Sequence, residues 1–325
     1  MSRTNNYWRK RLALEDDETI KQIEEAVLER GAEIEEETLA DEIVHISEME
    51  EEIKKEYDSW GKIKGLRTGL PSLDEKIGGM GKGHVILIGG ETSNGKSALA
   101  ANIAVNVSKS NPVLFITLEM RRAEIGARIM HINGGKLDGL DMMFQSEHRL
   151  TYKDIKPLLT KAIEMGSVEM VVLDYLQYLG RGMTEKEVAI MSKEIKTLAL
   201  EFNIPFVVIV SLRKSEGGRN KRKWTEIEIE DYMGTGAIGY DCDCAMIASR
   251  KNLNNDFDND SLWVKILKTR NAKLDYDNRY VRFDWDQTRI TENWAEVVHE
   301  VKPVQASIDE FDKAIEAGED NSQNA

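Results

Sequence analysis

The residues best suited to chemistry lie in one short segment, 90–97, which reads Gly-Glu-Thr-Ser-Asn-Gly-Lys-Ser. This is the G-x-x-x-x-G-K-S pattern of a phosphate-binding loop, in which backbone N–H groups and a helix N-terminus face a phosphate. Lys96 would reach the β- and γ-phosphates, and the Ser97 hydroxyl would bind Mg²⁺. We therefore predict an ATP and Mg²⁺ site whose nucleotide-binding residues are Gly90, Thr92, Ser93, Asn94, Gly95, Lys96, Ser97 and Ala98.

Two carboxylates are candidates to complete this site. The apolar run 168–174 ends in Asp174, and an aspartate at the carboxyl end of a strand beside such a loop can hold Mg²⁺ directly or through water. The run 113–118 is followed by Glu119, which would orient the attacking water if its strand pairs next to the strand of the loop. The alternatives are a turn cap for Asp174 and a surface ion pair for Glu119.

The elements around these residues alternate between apolar, β-prone runs and helix-forming stretches. Continuously apolar runs are typical of parallel strands that are buried on both faces. The alternation predicts an α/β fold with a mostly parallel sheet flanked by helices. The predicted strands are 85–89, 113–118, 168–174, 206–211, 245–249, 262–268 and 280–285. The predicted helices are 96–108, 122–132, 152–165 and 186–202.

The ends of the chain differ from this central pattern. Residues 15–58 carry a formal charge of about −15, so the rest of the chain is close to neutral against the total of −14. Apolar residues recur at helical spacing within this acidic part. We predict an acidic helical arm or linker over residues 1–60, an ATP-binding α/β domain over 61–295, and an acidic, partly disordered tail over 296–325. The thin apolar stripes of the arm favour docking on another surface, such as a second copy of the chain.

Composition excludes several classes of protein. A hydrophobic content of 41% suffices for a packed core, yet no apolar run approaches the roughly 20 residues that span a membrane. The polar N-terminus lacks the apolar stretch of a signal peptide, so we expect a cytoplasmic protein. Cys242 and Cys244 would point to one face of a strand as small buried residues in a reducing compartment, without a disulfide.

A basic segment follows the fourth predicted strand and contains two adjacent glycines. Positive charge on a flexible loop suits binding to nucleic-acid phosphates without sequence preference. Trp224 ends the segment and would either stack on a base or pack in the core. The candidate DNA-binding residues are Arg213, Lys214, Arg219, Lys221, Arg222 and Lys223.

Five motifs, in order, resemble those of the DnaB-like replicative helicases. Segment 174–177 reads Asp-Tyr-Leu-Gln as in that family, and 268–271 reads Lys-Thr-Arg-Asn against its Lys-x-Arg-Asn. Segments 68–74 and 78–83 together resemble the family's lead-in to the motor domain. Segment 117–120 resembles its Ser-Leu-Glu-Met, and segment 235–238 resembles its Ser-Gly-Ala-Ile. The resemblance extends over about 65–290.

This resemblance implies a RecA-like motor domain that assembles into a ring, usually a hexamer, around single-stranded DNA. ATP would bind between subunits, Glu119 would serve catalysis with Lys96, and Arg270 would act as an arginine finger on the neighbour's γ-phosphate with help from Lys268. A primase, a helicase loader or a polymerase are the candidate partners. The short chain would suit a bacteriophage-type member, located in the host cytoplasm.

Three departures from the family pattern bear on these expectations. The glutamine that senses the γ-phosphate aligns with Ser211, whose shorter hydroxyl would need a bridging water. An arginine of the family aligns with Met233. In place of the compact N-terminal domain typical of bacterial members, we expect the acidic arm. Two alternatives to a helicase therefore remain open, namely a RecA-type recombinase or filament ATPase, and a replication scaffold or loader switched by ATP.

Overall fold

The structure is a computed structural model that describes residues 45–59, 61–146, 149–179, 184–212, 223–232 and 236–292. The chain divides into two units, with the boundary between residues 60 and 61. Among the described residues, no helix combines the length and the apolar composition that crossing a membrane would require.

The described part of the first unit is one short helix. A 3-10 turn, Ile46–Met49, leads into helix α1, Glu50–Asp58. Three glutamates occupy its first turn, where negative charge is stabilised by the helix dipole. None of its residues is buried, and Ile46 and Tyr57 are largely exposed. The predicted helical character therefore holds for residues 46–58, and residues 1–44 and 60 lie outside the described residues.

The second unit alternates strands and helices. Its helices are α2 (Pro71–Ile77), α3 (Lys96–Ser108), α4 (Arg122–Ile132), α5 (Ile155–Met165), α6 (Leu176–Leu179), α7 (Glu185–Phe202) and α8 (Gly236–Asp241). Its strands are β1 (Val85–Gly90), β2 (Val113–Thr117), β3 (Met142–Gln145), β4 (Met170–Asp174), β5 (Phe206–Ser211), β6 (Cys244–Ser249), β7 (Ser261–Thr269), β8 (Tyr280–Asp286) and β9 (Arg289–Thr291).

The nine strands form one sheet in the order β3-β2-β4-β5-β1-β6-β7-β8-β9. All neighbours from β3 to β6 pair in parallel, and β7, β8 and β9 continue the sheet in antiparallel fashion. The prediction of a mostly parallel sheet flanked by helices is confirmed. The carboxyl ends of the six parallel strands meet at one edge, where the phosphate-binding loop follows β1.

Two apolar layers cover the two faces of the sheet. Helices α3 and α4 contribute residues such as Leu99 and Ile125 to one layer, and α5 and α7 contribute residues such as Leu159 and Ile195 to the other. Every residue of β1, β2, β4 and β6 is buried, which explains why their sequences are mostly apolar rather than alternating.

Two features of the sheet differ from expectation. Strands β3 and β9 are absent from the sequence prediction, because four and three residues are too few to carry a periodic signal.

The two cysteines are buried and free, as expected, but they do not share a face. Cys244 packs in the layer of α3, whereas Cys242 precedes the start of β6 and packs in the layer of α7.

Candidate nucleotide site

The phosphate-binding loop takes the shape that its glycines permit. Gly90 and Gly95 adopt φ angles of 154° and 87°, which other residues rarely adopt. A Cβ on Gly90 would lie 2.5 Å from the carbonyl oxygen of Ala248, and one on Gly95 would lie 2.5 Å from Leu262 Cδ1. Helix α3 begins at Lys96, directly after the loop, so its N-terminal N–H groups face the same space.

A cleft of about 600 Å³ lies against this loop at the carboxyl edge of the sheet. The sequence-predicted residues that line it are Thr92, Ser93, Gly95, Lys96, Ser97, Ala98, Glu119 and Asp174. The loop, the predicted catalytic carboxylate and the predicted metal ligands are thus brought together. Gly90 and Asn94 belong to the frame of the loop, since Asn94 is buried and its side-chain amide donates to the Glu91 carboxylate over 3.1 Å.

Lys96 is the first residue of α3, directly after the loop. Its ammonium donates a hydrogen bond to the backbone oxygen of Glu91 over 2.8 Å. Burial lowers the pKa of Lys96, while the carboxylates of Asp174, Glu119 and Glu91 act in the opposite direction. A phosphate entering the cleft would meet an ammonium that is partly desolvated and held by a single described backbone acceptor.

Asp174 ends β4 beneath the cleft. Its side chain is fully buried, and within the described part of the chain neither carboxylate oxygen has a hydrogen-bond partner. Burial raises the pKa of Asp174 to about 6, although the nearby Ser97 hydroxyl favours its charged form. Two buried oxygens that lack partners beside a serine hydroxyl suit a small, hard cation such as Mg²⁺, which prefers oxygen ligands.

Glu119 reaches the cleft by a route that differs from the expected one. Its strand, β2, pairs with β3 and β4, whereas β1 pairs with β5 and β6. The condition set for Glu119, that its strand pairs next to the strand of the loop, is therefore not met. Glu119 nevertheless lines the cleft, because the hydrogen bond from Leu118 N–H to the Asp174 carbonyl, 2.7 Å long, carries the end of β2 alongside the end of β4. Its side chain is exposed to the cleft.

Several lining residues are missed by sequence reasoning. Glu124 and Arg128 project from α4 and lie 3.9 Å apart, and Arg128 favours the charged form of Asp174. The hairpin of β8 and β9 supplies three more, Trp285, Gln287 and Thr288. These positions carry no motif, and only the spacing of four residues between Glu124 and Arg128 hints at an ion pair on a helix.

The β8–β9 hairpin is fixed to the helix that follows the loop. The Asn102 side chain on α3 donates to the Thr288 carbonyl over 2.7 Å and accepts from the Ile290 N–H over 3.0 Å. On the other side, the guanidinium of Arg250 stacks 4.2 Å from the ring centre of Trp285. One wall of the cleft is therefore tied directly to the nucleotide-binding helix.

The two predicted trans-acting residues lie away from the cleft. Lys268 pairs with Ala245 and Thr269 pairs with Cys244, at the start of β6, and Cys244 in turn pairs with Ile86 near the start of β1. The loop follows the other end of β1. A strand rises about 3.3 Å per residue, so roughly 15–20 Å of sheet separates the two groups. The structure does not bring Arg270 to the Lys96 of the same chain.

The predicted DNA-binding residues fall mainly on a segment for which no structure is described. Arg213, Lys214, Arg219, Lys221 and Arg222 lie outside the described residues, as does Met233. Lys223 is described and exposed. Trp224 is buried, and its indole N–H donates to the Asn252 carbonyl over 2.7 Å. Of the two roles weighed for Trp224, packing is confirmed.

The chain just after this basic segment is anchored by a buried lysine. The ammonium of Lys265, on β7, donates to the carbonyls of Thr225 and Ile227 and to the Glu228 carboxylate over 2.7, 2.6 and 2.9 Å. The Lys265 side chain is fully buried. It therefore fixes the point at which the basic segment rejoins the domain.

Replacing Lys265 with methionine is expected to lower the free energy of unfolding by about 1–3 kcal/mol, because buried acceptors would lose their donor. Denaturant unfolding followed by circular dichroism measures the change. Lys161→Met, at an exposed position of α5, is the matched control and should unfold at the wild-type midpoint. Equal midpoints for the two variants would contradict the anchoring role.

Ser211 lies at the end of β5. It lines the cleft, and its backbone N–H donates to the Gln177 side-chain oxygen over 3.1 Å. The position therefore adjoins the nucleotide site, although the side chain is short.

Comparison with known proteins agrees with this geometry. The sequence matches the family described as the DnaB-like helicase C terminal domain over residues 65–135 and 131–292. The chain belongs to this DnaB-like family. Membership implies that the chain uses a nucleotide, which fits the loop and the cleft. The matched residues include the nucleotide site, strand β7 with Lys268, and Arg270 just after that strand.

The similarity to individual DnaB-like proteins is distant but extensive. The chain is 29% identical over 235 residues to the replicative DNA helicase DnaB of Mycoplasma genitalium, covering 62% of this chain and 49% of that protein. This chain spans about half the length of the curated relatives it matches.

Two solved structures show the same fold. One, described as an ATPase domain, superposes with a TM-score of 0.65 at 19% identity, covering 78% of this chain and all of that one. A DnaB-like replicative helicase, solved for its interactions with primase, gives 0.64 at 20% identity, covering 88% of this chain and 77% of that one. The fold is the RecA-like fold that the motifs imply.

Proposed function

We propose that this chain is the motor of an ATP-dependent replicative DNA helicase, which hydrolyses ATP at subunit interfaces to move along single-stranded DNA and unwind duplex. The observation that carries the proposal is the placement of Lys268 and Arg270 at the opposite edge of the sheet from the phosphate-binding loop. A second copy presenting that edge would complete the first copy's cleft. A ring of such copies, with six as the expected number, repeats the arrangement at every interface.

The chemistry follows from the residues of the cleft. Gly90, Gly95 and the start of α3 direct N–H groups at the phosphates, and Lys96 leaves its carbonyl partner to contact the β- and γ-phosphates. Ser97 and Asp174 are the residues that would hold Mg²⁺, which would neutralise negative charge on the phosphates. Glu119 orients the attacking water, and the neighbour's Arg270 and Lys268 stabilise the transferred phosphoryl group.

We assign three regions to this function. Residues 1–60 form the arm or linker that joins neighbouring subunits, 61–295 form the motor, and 296–325 form the tail. Exposed apolar residues on and just before α1, such as Tyr57 and Ile46, support docking of the arm on another protein surface. A primase is a candidate partner, because a similar solved protein is described with primase. A helicase loader and a polymerase are the other candidates that the family resemblance implies.

Strand displacement tests the proposal directly. The full chain is incubated with ATP and a forked duplex that bears each single-stranded tail in turn, and the same sample is imaged by electron microscopy with an ATP analogue. Rings and DNA-stimulated unwinding are expected. Filaments with strand exchange would instead indicate a recombinase. ATP-dependent assembly with negligible DNA-stimulated turnover would indicate a scaffold or loader.

Glu119→Gln is expected to lower kcat for ATP hydrolysis by about 10²–10⁴-fold while ATP binding is kept, because the amide orients water poorly and cannot accept its proton. The measurement is steady-state hydrolysis together with binding of a fluorescent nucleotide. Glu194→Gln, at an exposed position in the middle of α7, is the control. Wild-type turnover of Glu119→Gln would remove this residue from the mechanism.

The basic segment predicts a salt-dependent affinity for single-stranded DNA. Each phosphate contact should contribute a slope of about −0.7 to log K against log[salt], so four contacts give about −3. Glutamine substitutions at Arg219, Lys221 and Arg222 should flatten the slope by about 2 and weaken unwinding. Fluorescence anisotropy with a labelled oligonucleotide at several salt concentrations measures the slope, and strand displacement measures unwinding. An unchanged slope in this triple variant would place the DNA elsewhere.

A further inference from the structure

Asp243 is a buried carboxylate at the edge of the sheet that carries Arg270. Its side chain is 1% exposed. Oxygen Oδ2 accepts from the Val85 N–H over 2.8 Å and from the Lys196 ammonium over 2.6 Å. Oxygen Oδ1 lies 3.0 Å from Nη1 of Arg270. Oδ2 thus binds groups of the domain interior, whereas Oδ1 binds Arg270. In the proposed function, Arg270 contacts the nucleotide that is bound by the neighbouring subunit.

The backbone on either side of Arg270 is also fixed. The Thr269 hydroxyl donates to the Ile77 carbonyl over 2.7 Å, and the Asn271 side-chain amide donates to the Gly79 carbonyl over 3.1 Å. Packing is tight enough that a Cβ on Gly78 would lie 2.7 Å from the backbone of Asn271. Arg270 therefore leaves the domain from a rigid base, and only its side chain retains freedom.

The side chain of Arg270 is held by its ion pair with Asp243 and is otherwise largely exposed to solvent. It is 56% exposed while its ion-pair partner is almost completely buried. A guanidinium has five N–H donors, so the contact at Nη1 leaves the remaining donors available to a phosphate. Burial lowers the pKa of the nearby His84, which is therefore neutral at neutral pH and does not add a third cation beside Asp243.

We propose that Asp243 is a positioning residue that holds the guanidinium of Arg270 in the orientation needed to contact the γ-phosphate bound by the adjacent subunit. The inference rests on the proposed function, since it requires the site to be shared. Without the carboxylate, a long and exposed side chain samples many rotamers, and misplacement of a catalytic group by about 1 Å can cost about 10²-fold in rate. Asp243 itself touches no substrate.

Asp243→Asn separates this role from a structural one. The asparagine oxygen can still accept from Val85 and Lys196, whereas its NH₂ group then faces Arg270 and repels it. We expect kcat for ATP hydrolysis to fall by about 10–100-fold with little change in the KM for ATP. Asp74→Asn is the matched control, because Asp74 is equally buried and its carboxylate accepts from the Thr68 N–H over 2.7 Å rather than from Arg270. It should keep wild-type turnover.

Mixing inactive subunits locates the defect. Lys96→Ala subunits have an inactive loop but an intact Arg270, so mixing them with Asp243→Asn subunits should restore part of the turnover. Mixing Asp243→Asn with Arg270→Ala should give no more turnover than Asp243→Asn alone, because neither chain supplies a correctly held Arg270. Wild-type kcat for Asp243→Asn, or equal restoration by both partners, would overturn the inference.

Two further variants keep the test decisive. If Asp243→Asn does not fold, Asp243→Glu replaces it in the test. The glutamate keeps the charge but displaces the guanidinium by one methylene, so it should show the same loss of kcat. A normal kcat for Asp243→Glu overturns the inference. Arg270→Ala alone tests the shared site. Full turnover of Arg270→Ala would reject the proposed function, whereas its loss together with normal turnover of both Asp243 variants rejects only the role of Asp243.

Discussion

Lys96→Ala is expected to reduce ATP hydrolysis by at least about 10³-fold and to weaken nucleotide binding. The loss of a charged donor to a developing oxyanion costs about 10²–10³-fold, and Lys96 also contributes to binding of the ground state. Its ammonium lies in the cleft with Asp174 and Glu119, so its removal leaves carboxylates facing a polyanion. Both kcat and KM should therefore change.

The measurement is DNA-stimulated phosphate release over a range of ATP concentrations, with a fluorescent nucleotide to follow binding. Lys109→Ala is the matched control, because Lys109 is exposed and follows the last residue of the same helix α3. It should behave as wild type. Retained turnover in Lys96→Ala would mean that the phosphates bind elsewhere, and the cleft would lose its assignment.

Much of the fold could be predicted because its elements carry strong local signals. Helices α3 and α4 and strand β5 have the predicted bounds, since each is a continuous run with a clear start and end. The cleft residues with motifs were found for the same reason. The physical basis is that a phosphate-binding loop needs glycine at fixed backbone positions, which leaves a recognisable spacing in the sequence.

The remaining features depend on contacts between distant segments. The place of β2 beyond β4 and β5 is set by sheet topology, which no local pattern encodes. Trp285 and Thr288 line the cleft because β8 and β9 fold back on α3, and an apolar strand residue gives no sign of such a role. The contact between Asp243 and Arg270 likewise forms only when β6 and β7 pair.

Arg270→Ala is expected to lower kcat by roughly 10³–10⁵-fold, the range attributed to arginine fingers, while the affinity for ATP stays near that of wild type. The separation of these two effects follows from the fold. Arg270 lies across the sheet from the loop, so it contributes nothing to binding of ATP within its own chain. Arg67→Ala, at another exposed position of the same domain, is the control.

Mixing decides between a shared site and a simple loss of stability. Arg270→Ala subunits keep a sound loop, and Lys96→Ala subunits keep a sound Arg270, so a mixed ring contains interfaces in which both groups are intact. Turnover should therefore reappear when two inactive proteins are combined, and it should peak near equal proportions. Because a chain that acts alone has no such interface, absence of any recovery in mixed assemblies of normal size would show that Arg270 does not act across a subunit boundary.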